Sequence, residues 1–252
     1  KHPVDLPNNN VNHPNNYTLF EHFDELRRRS IAILIFISIV FVGSYFTSHW
    51  WLPSFIHLIT PGKVFLHTFS YTELIQLYIK VIFFVSICIS SPFVFFQIWR
   101  FIVPGLRQHE RNFAWRYSLG SLILFVCGIL LSYFLVFPYI IQWSYRLATM
   151  MHIQPVIGMR QYLAELIKWL LTFGVLFQIP IILHGLAYFQ IFDITEYRHY
   201  RKYIYFISFV LASIIAPPDL MLNIILTLPI VVLFELSMLI VRWTHRTRTS
   251  HK

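Results

Sequence analysis

Two carboxylates in this chain sit among arginines. Glu25 belongs to Phe20-Glu21-His22-Phe23-Asp24-Glu25-Leu26-Arg27-Arg28-Arg29. Glu110 belongs to residues 97–112, where Arg100, Arg107, His109 and Arg111 surround a Pro104-Gly105 break. The chemistry open to such a carboxylate is recognition of a guanidinium, whose planar fork pairs with acceptor oxygens in a fixed geometry. Phe101 and Trp99 lie close by in sequence and offer apolar or cation–π contact. Two readings stand. Each carboxylate neutralises its own arginines in a solvated pair that contributes little, or it stays available to a cationic partner from outside.

The elements that must hold these residues are apolar helices. The 252 residues are 57% hydrophobic and 12% charged, where soluble domains carry about 25% charge. Mean hydropathy is +0.61. Long apolar runs with scarce charge define a polytopic membrane protein. Six spans are expected, at about 30–47, 74–97, 117–137, 163–186, 203–215 and 221–241. The fifth is shorter than the roughly 17 residues that span a bilayer. Residues 1–19 read as a polar flexible tail, 20–243 as the six-helix membrane domain and 244–252 as a basic tail. Asp24–Arg28 and Glu25–Arg29 spacings support a helix leading into the first span. Pro53, Pro92, Pro104, Gly105 and Pro138 are expected to shape loops, kinks and span ends.

The net charge of +9 points to topology rather than nucleic acid, because the cations cluster beside apolar spans and no basic domain exists to bind a phosphate backbone. The segment before the first span, the 98–116 loop and the end of the chain from Arg242 to Lys252 hold four Lys or Arg each, and the 187–202 turn holds three. The opposite side holds only Lys63, Arg146 and Arg160. That asymmetry predicts both termini on the cytoplasmic, matrix or stromal side.

Ionisable groups at membrane depth are candidates for function. Lys80, Glu165, Lys168 and Glu235 qualify, with Glu165 and Lys168 spaced to pair with each other. Gln178 is explained by an interhelical hydrogen bond, and Asp219 after Pro217-Pro218 by capping of the last span. The 12 histidines and two cysteines show no metal or redox spacing, so no metal, cofactor or catalytic residue is expected.

Taken in order, the motifs resemble the TatC family, the multispanning receptor subunit of the twin-arginine protein translocase, from about residue 20 to 243. His22 to Arg29 is similar to the family's H-L-x-E-L-R-x-R motif. Thr72-Glu73 with Lys80, Ser91-Pro92, Gln97-Ile98-Trp99-Arg100-Phe101-Ile102-Val103-Pro104-Gly105-Leu106 with His109-Glu110-Arg111, Phe137-Pro138, Phe173-Gly174-Val175 with Pro180, and Pro217-Pro218-Asp219 follow in sequence. The resemblance implies a curved, concave wall of six helices with two short final ones. It implies a non-enzymatic receptor for twin-arginine signal peptides of folded cargo, driven by the proton-motive force. Glu25, Arg27, Phe101 and Glu110 would bind the peptide. Gln178, Pro180, Asp219 and Glu235 would be intramembrane or partner-contact positions. TatA/TatB-like single-span proteins, the bilayer and further copies of the chain would be its partners. Many family members carry glutamate at the position of Gln178; the amide keeps hydrogen bonding without a titratable charge. Alternatives are a proton-coupled small-solute transporter using Lys80, Glu165 or Glu235, and a structural subunit of a respiratory complex. Bacterial inner membrane, mitochondrial inner membrane and thylakoid all fit; 25 Phe against 8 Gly favours an organellar or AT-rich genome.

Overall fold

The computed structural model describes residues 19–60, 66–102, 111–153, 156–188, 197–215 and 220–249. Pro104, Gly105, Glu110, Asp219 and the tail before residue 19 lie outside the described residues. The described chain is nearly all helical: α1 Leu19–Ile59, α2 Tyr71–Ile102, α3 Arg111–Leu131, a π-helical turn Ser132–Val136, α4 Phe137–Met150, α5 Met159–Leu176, α6 Ile179–Tyr188, α7 Tyr197–Ile215 and α8 Leu220–Thr249. A parallel pair of two-residue strands, β1 Leu66–His67 and β2 Ile157–Gly158, joins the segments that precede α2 and α5.

Four stretches are long and apolar enough to cross a membrane: Phe23–Ile59, Tyr71–Ile102, Ala114–Met150 and Met159–Gly185. The protein is therefore a multi-pass membrane protein. Burial ranks these helices. Of the most apolar window of α1, 6% is buried, against 44% in Met159–Gly185. So α1 offers its apolar side chains to lipid, while α5 runs through the core. Val81 and Phe84 of α2 meet Leu163, Leu166, Trp169, Leu170 and Phe173 of α5 there, with Phe137 of α4.

Several expected boundaries move. With 41 residues, α1 is about 60 Å long at 1.5 Å per residue, roughly twice the hydrocarbon thickness. The connection expected from residue 48 is thus helical as far as Ile59. Pro53 shapes no loop; it lies inside α1, because Trp51, Leu52, Phe55 and Ile56 pack against the core and that burial outweighs one missing backbone hydrogen bond. Pro92 likewise lies inside α2. The carbonyl of Cys88, which residue 92 would satisfy in an ordinary helix, accepts from Ser91 Oγ at 2.8 Å. Pro138 does not end the third helix. It occupies the first turn of α4, directly after a π turn, a common accommodation inside a continuing helix. The fifth span expected at 203–215 lies within α7, which has 19 residues. The last helix, α8, has 30 residues, and its apolar stretch is Leu226–Leu236.

Small residues set how closely α3 and α5 approach. A Cβ on Gly128 would lie 2.5 Å from the carbonyl oxygen of Phe173, and one on Gly174 would lie 2.6 Å from the ring of Phe125. Gly43 on α1 meets nothing within 4 Å. Close packing through small residues replaces the hydrophobic drive that helices lack inside lipid. Gly128→Ala is therefore expected to lower thermal stability in detergent by about 1–3 kcal/mol, the usual cost of overpacking, whereas Gly43→Ala leaves the melting temperature unchanged. Equal melting curves for both variants would remove the close-packing account.

Candidate functional site

The cation-rich ends of α1 and α2 form a cleft of about 520 Å³ lined by Asp24, Glu25, Arg28, Arg29, Ala32, Gln97 and Arg100. Residues 25, 28, 29 and 32 recur at the three- and four-residue spacing of one helix face. Inside the cleft Arg29 Nε donates to Glu25 Oε1 at 3.0 Å, and Arg29 Nη2 donates to the same oxygen. Arg29 Nη1 donates to Gln97 Oε1 of α2 at 3.2 Å. One guanidinium thus bridges a carboxylate on one helix and an amide on the next. The arginine side chain is 15% exposed and that of Glu25 31%. This is less open than an ordinary surface pair, and the geometry is that of a guanidinium seat.

Of the residues expected to bind the peptide, Glu25 is the one that lines this cleft among the described residues. Arg27 is exposed and is not among the lining residues; two residues from Glu25 on a helix, it projects to another side. Phe101 is half-buried at the end of α2. Glu110 lies outside the described residues. Gln97 is the participant missed. The Glu25–Arg29 spacing was visible, but only the meeting of α1 with α2 adds Gln97.

Behind the cleft, a polar cluster ties α2, α3 and α6. Trp99 Nε1 donates to Ser121 Oγ at 2.8 Å in a buried position. The Trp99 ring lies 4.7 Å from that of Tyr117, centroid to centroid. Tyr117 Oη is hydrogen-bonded to His184 Nδ1 at 2.5 Å. A Cβ on Gly185 would stand 2.9 Å from the Trp99 ring, so a glycine is what lets α6 reach the indole. Pro180, Ile181 and His184 also face Arg116 and Leu124 across a smaller apolar cavity of about 290 Å³.

Gln178 sits where α5 gives way to α6 and is 8% exposed. Its Nε2 donates to the carbonyls of Ser121 on α3 at 3.1 Å and Gly174 on α5 at 3.3 Å. The amide faces into the chain, as a cross-link at a helix break. Glu235 of α8 pairs with Arg201 Nε of α7 at 2.7 Å and accepts from Tyr205 Oη. Glu165 and Lys168 pair with each other at 3.3 Å on the outside of α5. At the far end of the wall, Glu73 Oε1 stands 3.4 Å from Arg160 Nε, and Glu73 Oε2 accepts from the Phe69 amide at 3.1 Å. Each of these carboxylates has a cation from within the chain.

A family model described as Sec-independent protein translocase protein (TatC) matches residues 21–229. The Sec-independent protein translocase protein TatC of Listeria innocua serovar 6a is 31% identical over 232 residues, covering 91% of this chain and 93% of the relative. TatCy of Bacillus subtilis is 30% identical over 235 residues, covering 92% and 91%. A crystal structure of the twin arginine translocase receptor TatC, in DDM, aligns with a TM-score of 0.75 at 30% identity, covering 87% of this chain and 98% of that one.

The donor role of Gln178 generates a prediction. Gln178→Leu leaves the carbonyls of Ser121 and Gly174 without the amide donor and is expected to lower thermal stability in detergent by about 1–3 kcal/mol. A melting temperature unchanged in Gln178→Leu would show that the amide is not needed as a donor.

Proposed function

The chain belongs to the TatC family of Sec-independent protein translocase proteins, and from that premise we propose that it is the receptor for twin-arginine signal peptides of folded cargo. Membership makes it a membrane subunit of a protein translocase, not an enzyme. The observation that carries the receptor reading is the seat on Glu25 and Gln97. A carboxylate and an amide from two helices hold a guanidinium beside an open cleft, which is the chemistry an arginine side chain of a partner needs.

In this reading the cleft at the ends of α1 and α2 binds the first arginine of the pair. Glu110, in the segment between α2 and α3, takes the second, and Phe101 and Arg27 contribute to binding the peptide. The chain crosses the membrane six times, with α7 and α8 contributing the last two crossings. Both termini lie on the cytoplasmic, matrix or stromal side, as the cation asymmetry favours. Single-span TatA/TatB-like subunits and further copies of the chain pack against its lipid-facing helices, and the proton-motive force drives transport. The transporter alternative loses ground, because Glu165 and Glu235 each sit in an ion pair within the chain.

The test is binding of a photocrosslinkable signal peptide to the full chain in nanodiscs. Replacing Arg-Arg by Lys-Lys in the peptide, or Glu25→Gln in the chain, should each weaken binding about tenfold or more, the loss expected for a charge-assisted hydrogen bond. Glu110→Gln should act in the same direction. If the Lys-Lys peptide and Glu25→Gln both leave binding intact, the receptor reading is wrong.

A further inference from the structure

The seat on Glu25 is already filled. Its occupant is Arg29, four residues along the same helix, which spans Glu25 Oε1 and Gln97 Oε1. Resting on the receptor reading above, we propose that Arg29 is a resident stand-in for the substrate's guanidinium. The signal peptide then binds by exchanging one guanidinium for another, and Gln97 is the residue that makes the seat select arginine over lysine.

Three features carry this. First, the pair is not a simple surface contact along one helix. The Arg29 side chain is only 15% exposed, and it reaches a second acceptor on α2, so the site is built from two elements. Second, the cleft beside it is about 520 Å³, which leaves room for an incoming side chain to approach before the resident one leaves. Third, charge makes exchange easier than addition. Among the described residues, Arg28, Arg29 and Arg100 line the cleft against Asp24 and Glu25, so a further cation added beside them meets net repulsion from this set. An incoming guanidinium that displaces Arg29 leaves the charge at Glu25 unchanged, while Arg29 swings into water.

The two acceptors then divide the work. Glu25 supplies charge, which an ammonium satisfies as well as a guanidinium. Bridging from Glu25 to Gln97 needs donors at fixed separation in one plane; a guanidinium has them and a compact ammonium does not. Resident Arg29 lowers the apparent affinity of every competing ligand by the fraction of time the seat is open. It sets a threshold that weak ligands fail to cross and leaves the ratio between ligands to Gln97.

The experiment measures peptide affinity by fluorescence anisotropy on the full chain in nanodiscs, with Arg-Arg and Lys-Lys versions of one signal peptide. Arg29→Gln is expected to tighten both peptides by a common factor of about three, the occupancy of a modest ion pair, so the Arg-Arg over Lys-Lys ratio stays fixed. Gln97→Leu is expected to cut that ratio about fivefold, the loss of one hydrogen bond to a cation. Arg29→Lys keeps the charge, and should tighten binding in the same direction by less; it serves where Arg29→Gln does not fold. Glu25→Gln should lose the Arg-Arg peptide in every background. Unchanged or weaker Arg-Arg binding in Arg29→Gln or Arg29→Lys, while Glu25→Gln still loses it, overturns the exchange and leaves the receptor reading standing. An unaltered ratio in Gln97→Leu overturns the role of Gln97. Retention of binding in Glu25→Gln, together with equal binding of the Arg-Arg and Lys-Lys peptides, sinks the receptor reading itself.

Discussion

Inside hydrocarbon there is no water to accept a hydrogen bond, so each break in a spanning helix must be closed by the protein. The wall depends on how this is done. At Pro92 the neighbouring Ser91 hydroxyl serves the Cys88 carbonyl. At Pro138 a π turn changes the helical repeat just before the proline. Between α5 and α6, the Gln178 amide reaches back to Gly174 and across to Ser121. Only the last of these also joins one helix to another. It fixes the bend against α3, and the same residue, Ser121, accepts the Trp99 indole through its hydroxyl. The position of α2 at the cation-rich end is thereby coupled to the break between α5 and α6 through one serine.

That coupling matters for the cleft because Gln97 is two residues before Trp99 on α2. The indole, buried and held by Ser121 and Tyr117, anchors the end of α2. Gln97 is then presented to Arg29 by a helix that is fixed from behind. Only 6% of the most apolar window of α1 is buried, and toward the cleft α1 meets α2 through the Arg29–Gln97 hydrogen bond and the stack of Phe36 on Phe93, with centroids 4.3 Å apart.

The apolar runs, cation clusters and ordered motifs made the membrane class and the family legible in the sequence. Helix boundaries were less so, for a definite reason. Pro53 and Pro138 read as stops by local rules, but Trp51 and Phe55 pack against the core, Phe55 beside Phe84 of α2, and Phe137 packs on Tyr162 of α5, which carries the helices through. The Glu25–Arg29 and Glu165–Lys168 pairs were visible because they are local, at helical spacing. Gln97 was not, because its contact with Arg29 spans 68 positions. Nor were the buried serines. Ser48 bonded to Tyr78 across α1 and α2, like Ser121 under Trp99, leaves no periodic signal in a run of apolar residues. The tetrad of Trp99, Ser121, Tyr117 and His184 is assembled from three helices.

The surplus of positive charge, which sequence reasoning assigns to orientation, has a second consequence at the cleft. A loop or helix end can satisfy the inside rule with arginine or lysine at almost any position. An arginine placed four residues after a carboxylate also occupies it. In a receptor for cations, topology and recognition then compete for the same acceptor. Pairing at Glu25 weakens binding of any incoming cation, so a ligand with only charge to offer gains little over what is already there. A ligand that reproduces the full two-helix geometry replaces what it removes. On the proposed reading, charge alone makes the cleft repel cations, and geometry makes an exception for the one cation that matches its own. The abundance of arginines around Glu25 is thus compatible with recognising another arginine, provided the resident one is held by contacts the newcomer can copy.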